Sequence, residues 1–265
     1  MAKLRAEYVE KPWGRDALPG PFAEHGGGRR IGEVWFADPG ARRLPLLVKY
    51  IFTSEKLSVQ VHPDDDQARA RGELNGKTEC WYILDAEPGA VLGLGFRAPA
   101  DAKTLRAAAL DGSIEGMMDW KPVRGGDFFY VPAGTVHAIG AGISLIEVQQ
   151  QSDITYRLFD YGRPRELHLE EGLAVARGEP YPPEHGAQVS DGESRTLVAG
   201  PHFRLEHVAG GGPVEALREA ERWALPLSGT ATAGGEIAGP GECLLVPAGA
   251  ALEGSDGGAL LVAAV

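Results

Sequence analysis

Short apolar runs and strict alternations dominate the chain, and few windows carry a helical period. Residues 31–37, 46–53, 57–62, 78–84, 90–96, 127–131, 143–150, 154–159, 203–208, 222–228, 242–246 and 259–265 read as β-strands. Most are bounded by Gly, Pro or Asp, and they recur at the spacing of sandwiches and barrels. Helical signals are confined to three places. At His62-Pro63-Asp64-Asp65-Asp66-Gln67 a strand end meets a proline at a first helical position, followed by acidic residues in the first turn. Residues 100–110 and 167–177 are the other two. Many strands and few helices predict a mostly antiparallel β protein with a few short helices.

The pattern also repeats. Gly126-Asp127-Phe128-Phe129-Tyr130-Val131-Pro132-Ala133-Gly134 recurs as Gly241-Glu242-Cys243-Leu244-Leu245-Val246-Pro247-Ala248-Gly249, an offset of 115 residues (126 to 241). Each copy holds a glycine turn, an acidic residue, a buried strand and a proline–glycine bend. Two jelly-roll-like β-barrels are therefore expected, an N-terminal one over residues 1–178 and a smaller one over 179–265. A linker rich in Pro, Gly and charge, around 178–194, joins them. Three residues after Gly134 comes His137, whereas three after Gly249 comes Leu252. One site per chain, in the first barrel, is the expectation.

Composition narrows the function classes. The 265 residues carry 26 Lys+Arg against 37 Asp+Glu, a net charge of −11, which argues against a general nucleic-acid binder. Hydrophobic residues at 43% exclude wholesale disorder. No apolar run is long enough to span a membrane, and the start at Met1 has no secretory signal, so a cytoplasmic protein is expected. The two cysteines, Cys80 and Cys243, make no disulfide framework.

Candidate chemistry lies on the polar faces of the strands. In Leu57-Ser58-Val59-Gln60-Val61-His62, alternation puts Ser58, Gln60 and His62 on one face and the aliphatic residues on the other. Lys77, Glu79 and Trp81 share a face of the 78–84 strand, and the proline–glycine bend delivers His137. Any one of these fits a surface or satisfied core residue. Gln60, His62, Glu79 and His137 together form a candidate divalent-metal site, and zinc suits two imidazoles and a carboxylate with one open position. Spacing alone leaves manganese, iron, cobalt and nickel open.

Lys49 interrupts the apolar run 46–52, so it either holds an anion or guards an edge strand. Glu147 lies in the apolar run 143–148, where desolvation pushes a carboxylate toward a usable base. Arg157, among apolar neighbours, can steady a developing oxyanion. The competing reading pairs Glu147 and Arg157 as a structural salt bridge.

Four stretches resemble one family: Lys11-Pro12-Trp13-Gly14, residues 57–63, Gly76-Lys77-Thr78-Glu79, and residues 131–139. Together with residues 147–157 they resemble the type I mannose-6-phosphate isomerases of the short bacterial form, over about residues 8–180. The resemblance implies a double cupin fold, one Zn2+ per chain, and interconversion of mannose 6-phosphate and fructose 6-phosphate. It implies Gln60, His62, Glu79 and His137 as metal ligands, Arg157 as the catalytic arginine, and Glu147 and Lys77 in proton transfer. Lys49 and Ser58 match positions near the phosphate. A phosphorylated hexose is then the partner, in a monomer or homodimer. Gln60 replaces the first histidine of the general cupin pair, as it does in these isomerases, and the second barrel is trimmed. Two other readings stand beside this one: a non-haem iron cupin oxygenase, and a sugar-binding regulatory module without turnover.

Overall fold

The computed structural model describes residues 1–25, 27–190 and 192–265. Both copies of the repeat fold alike. Gly126, Gly134, Gly241 and Gly249 all take φ between 76° and 86°, a region that L side chains rarely adopt. The first glycine of each copy leads into a strand, Asp127–Val131 or Leu244–Val246. The acidic residue after that glycine closes the turn. Asp127 accepts from the Arg124 N–H at 2.8 Å, and Glu242 accepts from the Gly239 N–H at 2.9 Å. At the bend, the N–H groups of Thr135 and Ala250 donate to the carbonyls of Pro132 and Pro247, both at 3.1 Å.

The chain divides into two compact units, Ile51–Gly186 on one hand and Met1–Tyr50 with Ala187–Val265 on the other. In this division the first fifty residues group with the C-terminal segment, where the expected boundary near residue 178 put them in the first barrel. Local sequence could not show this, because the pairing that joins them is long-range: the Ala2–Lys3 strand pairs with Leu244–Val246.

In the 51–186 unit, one sheet runs Tyr156–Phe159, Val59–Val61, His137–Ile139, Val91–Phe96, Met118–Pro122. In a second sheet, Glu79–Ala86 pairs with Asp127–Val131 on one side and Ile143–Gln150 on the other. All these pairings are antiparallel. Four short helices accompany them: α1 (Asp65–Arg69), α2 (Ala102–Asp111), α3 (Ile114–Met117) and α4 (Leu169–Val175). Val59, Val61, Ala138, Tyr156 and Leu158 form a buried apolar cluster with Leu105, Ala108 and Ala109 of α2, Ile114 of α3 and Val175 of α4. The other face of the first sheet carries Gln60, His137 and Arg157 beside the buried Leu92, Leu94 and Ile139. Helix α1 starts two residues later than the proline suggests. Asp64 is its N-cap, with a capping box to Gln67, and Pro63 precedes the cap.

The other unit holds a sheet ordered Ala2–Lys3, Leu244–Val246, Arg222–Ser228, Ala259–Ala264, Arg204–Ala209, Arg195–Ala199. A smaller four-stranded sheet, built from short strands between Gly212 and Gly254, accompanies it. The hairpin of Arg5–Arg15 with Ile31–Ala37 lies in the same unit. The protein is thus mostly β with four short helices, but its sheets are open rather than closed into barrels. Among the described residues, no helix is long and apolar enough to cross a membrane.

Register shows what the second copy has become. Glu79 faces Val131, and Val246, the repeat counterpart of Val131, faces Arg222. Trp81 faces Phe129, and the counterpart Leu244 faces Ala224. Across the next pairing, Trp81 faces Glu147 while Ala224 faces Val262. Arg222 therefore stands where Glu79 stands in the first copy, and Val262 where Glu147 stands. Arg222 is fully buried and donates to the carbonyls of Val214 (2.9 Å), Ala216 (3.2 Å) and Ala250 (2.6 Å). Its guanidinium closes the mouth of that sheet with backbone acceptors. Arg222→Met should cost about 3 kcal/mol, because one buried and two partly buried carbonyls lose their donor. Urea denaturation measures this, and a loss below about 0.5 kcal/mol would contradict the role.

Candidate metal centre and active site

Gln60 is the middle residue of the three-residue strand Val59–Val61. It lies directly opposite His137 on one side and Arg157 on the other, so all three side chains leave the same face of the sheet. His62 follows at the strand end, and its carbonyl accepts from the Gly134 N–H at 2.8 Å, which ties the bend carrying His137 to the strand carrying Gln60. Glu79 comes from the facing sheet. With Trp81, Glu147 and Gln149 it occupies one face of the Glu79–Ala86 and Ile143–Gln150 pair.

His62, Glu79 and His137 are buried, and one ligating atom from each lies within 4.8 Å of the others. His137 Nε2 is 3.3 Å and His62 Nε2 3.6 Å from the Glu79 carboxylate. Both imidazoles are oriented from behind. His62 Nδ1 donates to the Ile154 carbonyl at 2.8 Å, and His137 Nδ1 donates to the Thr135 carbonyl at 2.9 Å. With the proton on Nδ1, each Nε2 keeps its lone pair for the site. The remaining contacts agree: Lys77 Nζ donates to His62 Nε2 at 3.1 Å, and Gln60 Nε2 donates to His137 Nε2 at 3.2 Å. Burial lowers the His137 pKa to about 4, which keeps this ring neutral at physiological pH. Two neutral imidazoles, a carboxylate and a carboxamide fit a borderline divalent ion such as zinc.

Lys77 stands 2.9 Å from Glu79 and compensates its buried charge. A strut holds the loop that carries it. Asp65 accepts from the Gly76 N–H and from Gln150 Nε2, both at 2.8 Å, and the side-chain oxygen Oε1 of Gln150 accepts from the Thr78 N–H at 2.9 Å. Gly76 is required here, since a Cβ would come within 2.4 Å of the Asp64 backbone. Glu147 Oε2 accepts from the Trp81 indole N–H at 2.8 Å. Arg157 is half-buried, burial lowers its pKa, and its Nε has no hydrogen-bond partner in the structure. Glu147 and Arg157 lie on different sheets of this unit.

Of the residues singled out from sequence, Gln60, His62, Lys77, Glu79 and His137 are linked into one cluster by direct contacts. Ser58 joins them by donating to Gln60 Oε1 at 3.1 Å. Arg157 joins through its register with Gln60, and Glu147 through Trp81. Lys49 lies in the other unit, with its ammonium 3.7 Å from Glu33 and 5.7 Å from the centre of the Trp35 ring. The buried cation holds an anion there, the Glu33 carboxylate, which Lys11 also approaches at 3.1 Å. Burial raises the Glu33 pKa, but Lys49 and Lys11 outweigh it and bring it to about 2. Sequence reading passed over the Asp65–Gln150 strut and the bond from Trp81. Their one available signal was that Trp81 shares a face with Glu79 two residues away.

The protein called mannose-6-phosphate isomerase ManA from Bacillus subtilis is 40% identical over 195 residues, covering 67% of this chain and 61% of that protein. A crystal structure titled as the mannose 6-phosphate isomerase from Bacillus subtilis superposes with a TM-score of 0.82 at 26% identity, covering 99% of both chains. The chain is a homologue of the mannose-6-phosphate isomerases. A solved mannose 6-phosphate isomerase bound with zinc and yttrium shares the fold, with a TM-score of 0.75 at 16% identity over 99% of this chain. The aligned segments span about half to three-fifths of the curated isomerases they match. No family model matches the chain.

His137→Ala should lower bound zinc at least about tenfold in a protein that still folds, because a ligand and its oriented backing are both lost. Metal analysis after dialysis with zinc checks this. Retention of wild-type zinc content would remove His137 from the ligand set.

Proposed function

We propose that this chain is a metal-dependent aldose–ketose isomerase that interconverts mannose 6-phosphate and fructose 6-phosphate. The observation that carries the reading is the pair of buried imidazoles, each fixed through Nδ1 so that Nε2 meets Glu79, with Glu147 and Arg157 in the same unit. In this reading His62, His137, Glu79 and Gln60 hold one zinc ion per chain. Gln60 binds through its carboxamide oxygen, and the Ser58 hydroxyl, both donor and acceptor, can pair with either end of that amide. A bound divalent ion supplies Lewis-acid stabilisation of negative charge on substrate oxygens without redox change.

The protein's own groups move the proton. Glu147, held by Trp81, takes the proton from C2 of the open-chain aldose and returns it to C1 of the resulting enediolate. The ketose forms as the hydroxyl proton passes from O2 to O1. Lys77 is the second candidate for the proton-transferring group. The Arg157 guanidinium, its Nε without an internal acceptor, steadies the oxygen on which charge develops. Burial of the ligands excludes bulk water, which strengthens both effects.

Ser58 in this unit and Lys49 in the other are both assigned to the substrate phosphate by the sequence resemblance alone. The similarity to Bacillus subtilis ManA and to the solved Bacillus subtilis isomerase structure favours turnover over a silent sugar-binding module and over an oxygenase.

Arg157→Ala should lower kcat about 100-fold or more while zinc content stays at the wild-type level. A coupled assay from mannose 6-phosphate, with metal analysis of the same preparation, checks both. Turnover within about threefold of wild type would end the catalytic assignment.

A further inference from the structure

The Trp81 side chain is fully buried and touches two parts of the site at once. Its indole N–H donates to Glu147 Oε2 at 2.8 Å from the directly opposite position on the neighbouring strand. Its ring meets the His137 imidazole edge-on, with centroids 5.3 Å apart and planes at 71°. A glutamate carboxylate turns easily about its last torsion, so a lone base at the end of that side chain is poorly aimed. A rigid donor at 2.8 Å removes that freedom before substrate arrives.

The second copy of the repeat separates this role from a need of the fold. There the pair facing each other at the same register is Ala224 and Val262. Where the carboxylate is absent the indole is absent too, and the sheet still forms. The packing of the repeat does not demand a tryptophan at this position.

From these observations we infer that Trp81 is a positioning residue, which aims the Glu147 carboxylate at the reacting carbon and braces the His137 ring. The inference rests on the isomerase reading above and names the group that makes its base effective.

Trp81→Phe keeps a ring and removes the N–H donor. It should lower kcat about tenfold, the scale of one hydrogen bond to a charged group, with KM within about twofold and zinc content unchanged. Glu147→Gln supplies the control background. Once the base is gone its aim no longer matters, so adding Trp81→Phe should change the residual rate less than about twofold. A role confined to packing predicts the same tenfold fall in both backgrounds, and that result would overturn the inference. Should Phe fail to fold, 3-benzothienylalanine incorporated at position 81 keeps the indole outline without the N–H. It should show the same kcat loss, and full activity would refute the role. The Trp81 indole proton resonance reads the bond without turnover. It should shift in Glu147→Gln, and an unmoved resonance overturns the pairing alone. Absence of isomerisation by the unsubstituted protein, with that shift present, overturns the isomerase reading and the positioning role with it.

Discussion

A carboxylate placed between two sheets has to be answered by something positive, and Glu79 shows how this protein does it. Its side chain is 1% exposed, a burial that costs several kcal/mol for an unpaired charge. The surroundings are arranged to meet that cost. Lys77 lies in the loop just before the strand of Glu79, and His62 and His137 are turned toward Glu79 by carbonyls behind them. The short strand of Gln60, the proline–glycine bend and the Asp65–Gln150 strut all deliver groups to this one carboxylate. A divalent ion would complete the same electrostatic pattern, so compensation and the proposed ligation fall on the same residues.

The duplicated strand motif shows the same constraint resolved in a second way. At the register of Glu79 the other copy carries Arg222, which spends its donors on three backbone carbonyls. The positions matching His137 and Glu147 carry Leu252 and Val262. With the ligating groups gone, the mouth of that sheet is sealed by an arginine that cannot lose its charge. One framework thus supports an open, reactive site and a closed, structural one. The difference rests on a few side chains at equal register.

Much of this was legible along the chain. Strands such as Ile143–Gln150 and Arg222–Ser228 coincide with their apolar runs, because burial on both faces leaves a continuous signal. The repeat was legible because its glycines need positive φ and so leave few alternatives. The Arg5–Arg15 strand was not read as one, since its charges, Pro12 and Gly14 hide any alternation. Closure into barrels was inferred from strand spacing, the repeat and the family resemblance, and none of these determines whether a sheet's edges meet. The candidate metal ligands could be listed from alternation and the bend, but the tautomers of the two histidines depend on the Ile154 and Thr135 carbonyls, which no pattern of side chains specifies. Lys49 was anomalous from sequence for a sound reason, a buried charge, yet the Glu33 that answers it lies on a strand sixteen residues earlier.

The central claim is that a single divalent ion sits among His62, Glu79 and His137. Anomalous diffraction at the zinc edge, from crystals of protein loaded with zinc, tests it most directly. The account predicts one strong peak per chain within bonding distance of His62 Nε2, His137 Nε2 and a Glu79 oxygen. A peak elsewhere in the chain, or none at this position at full zinc loading, would contradict it.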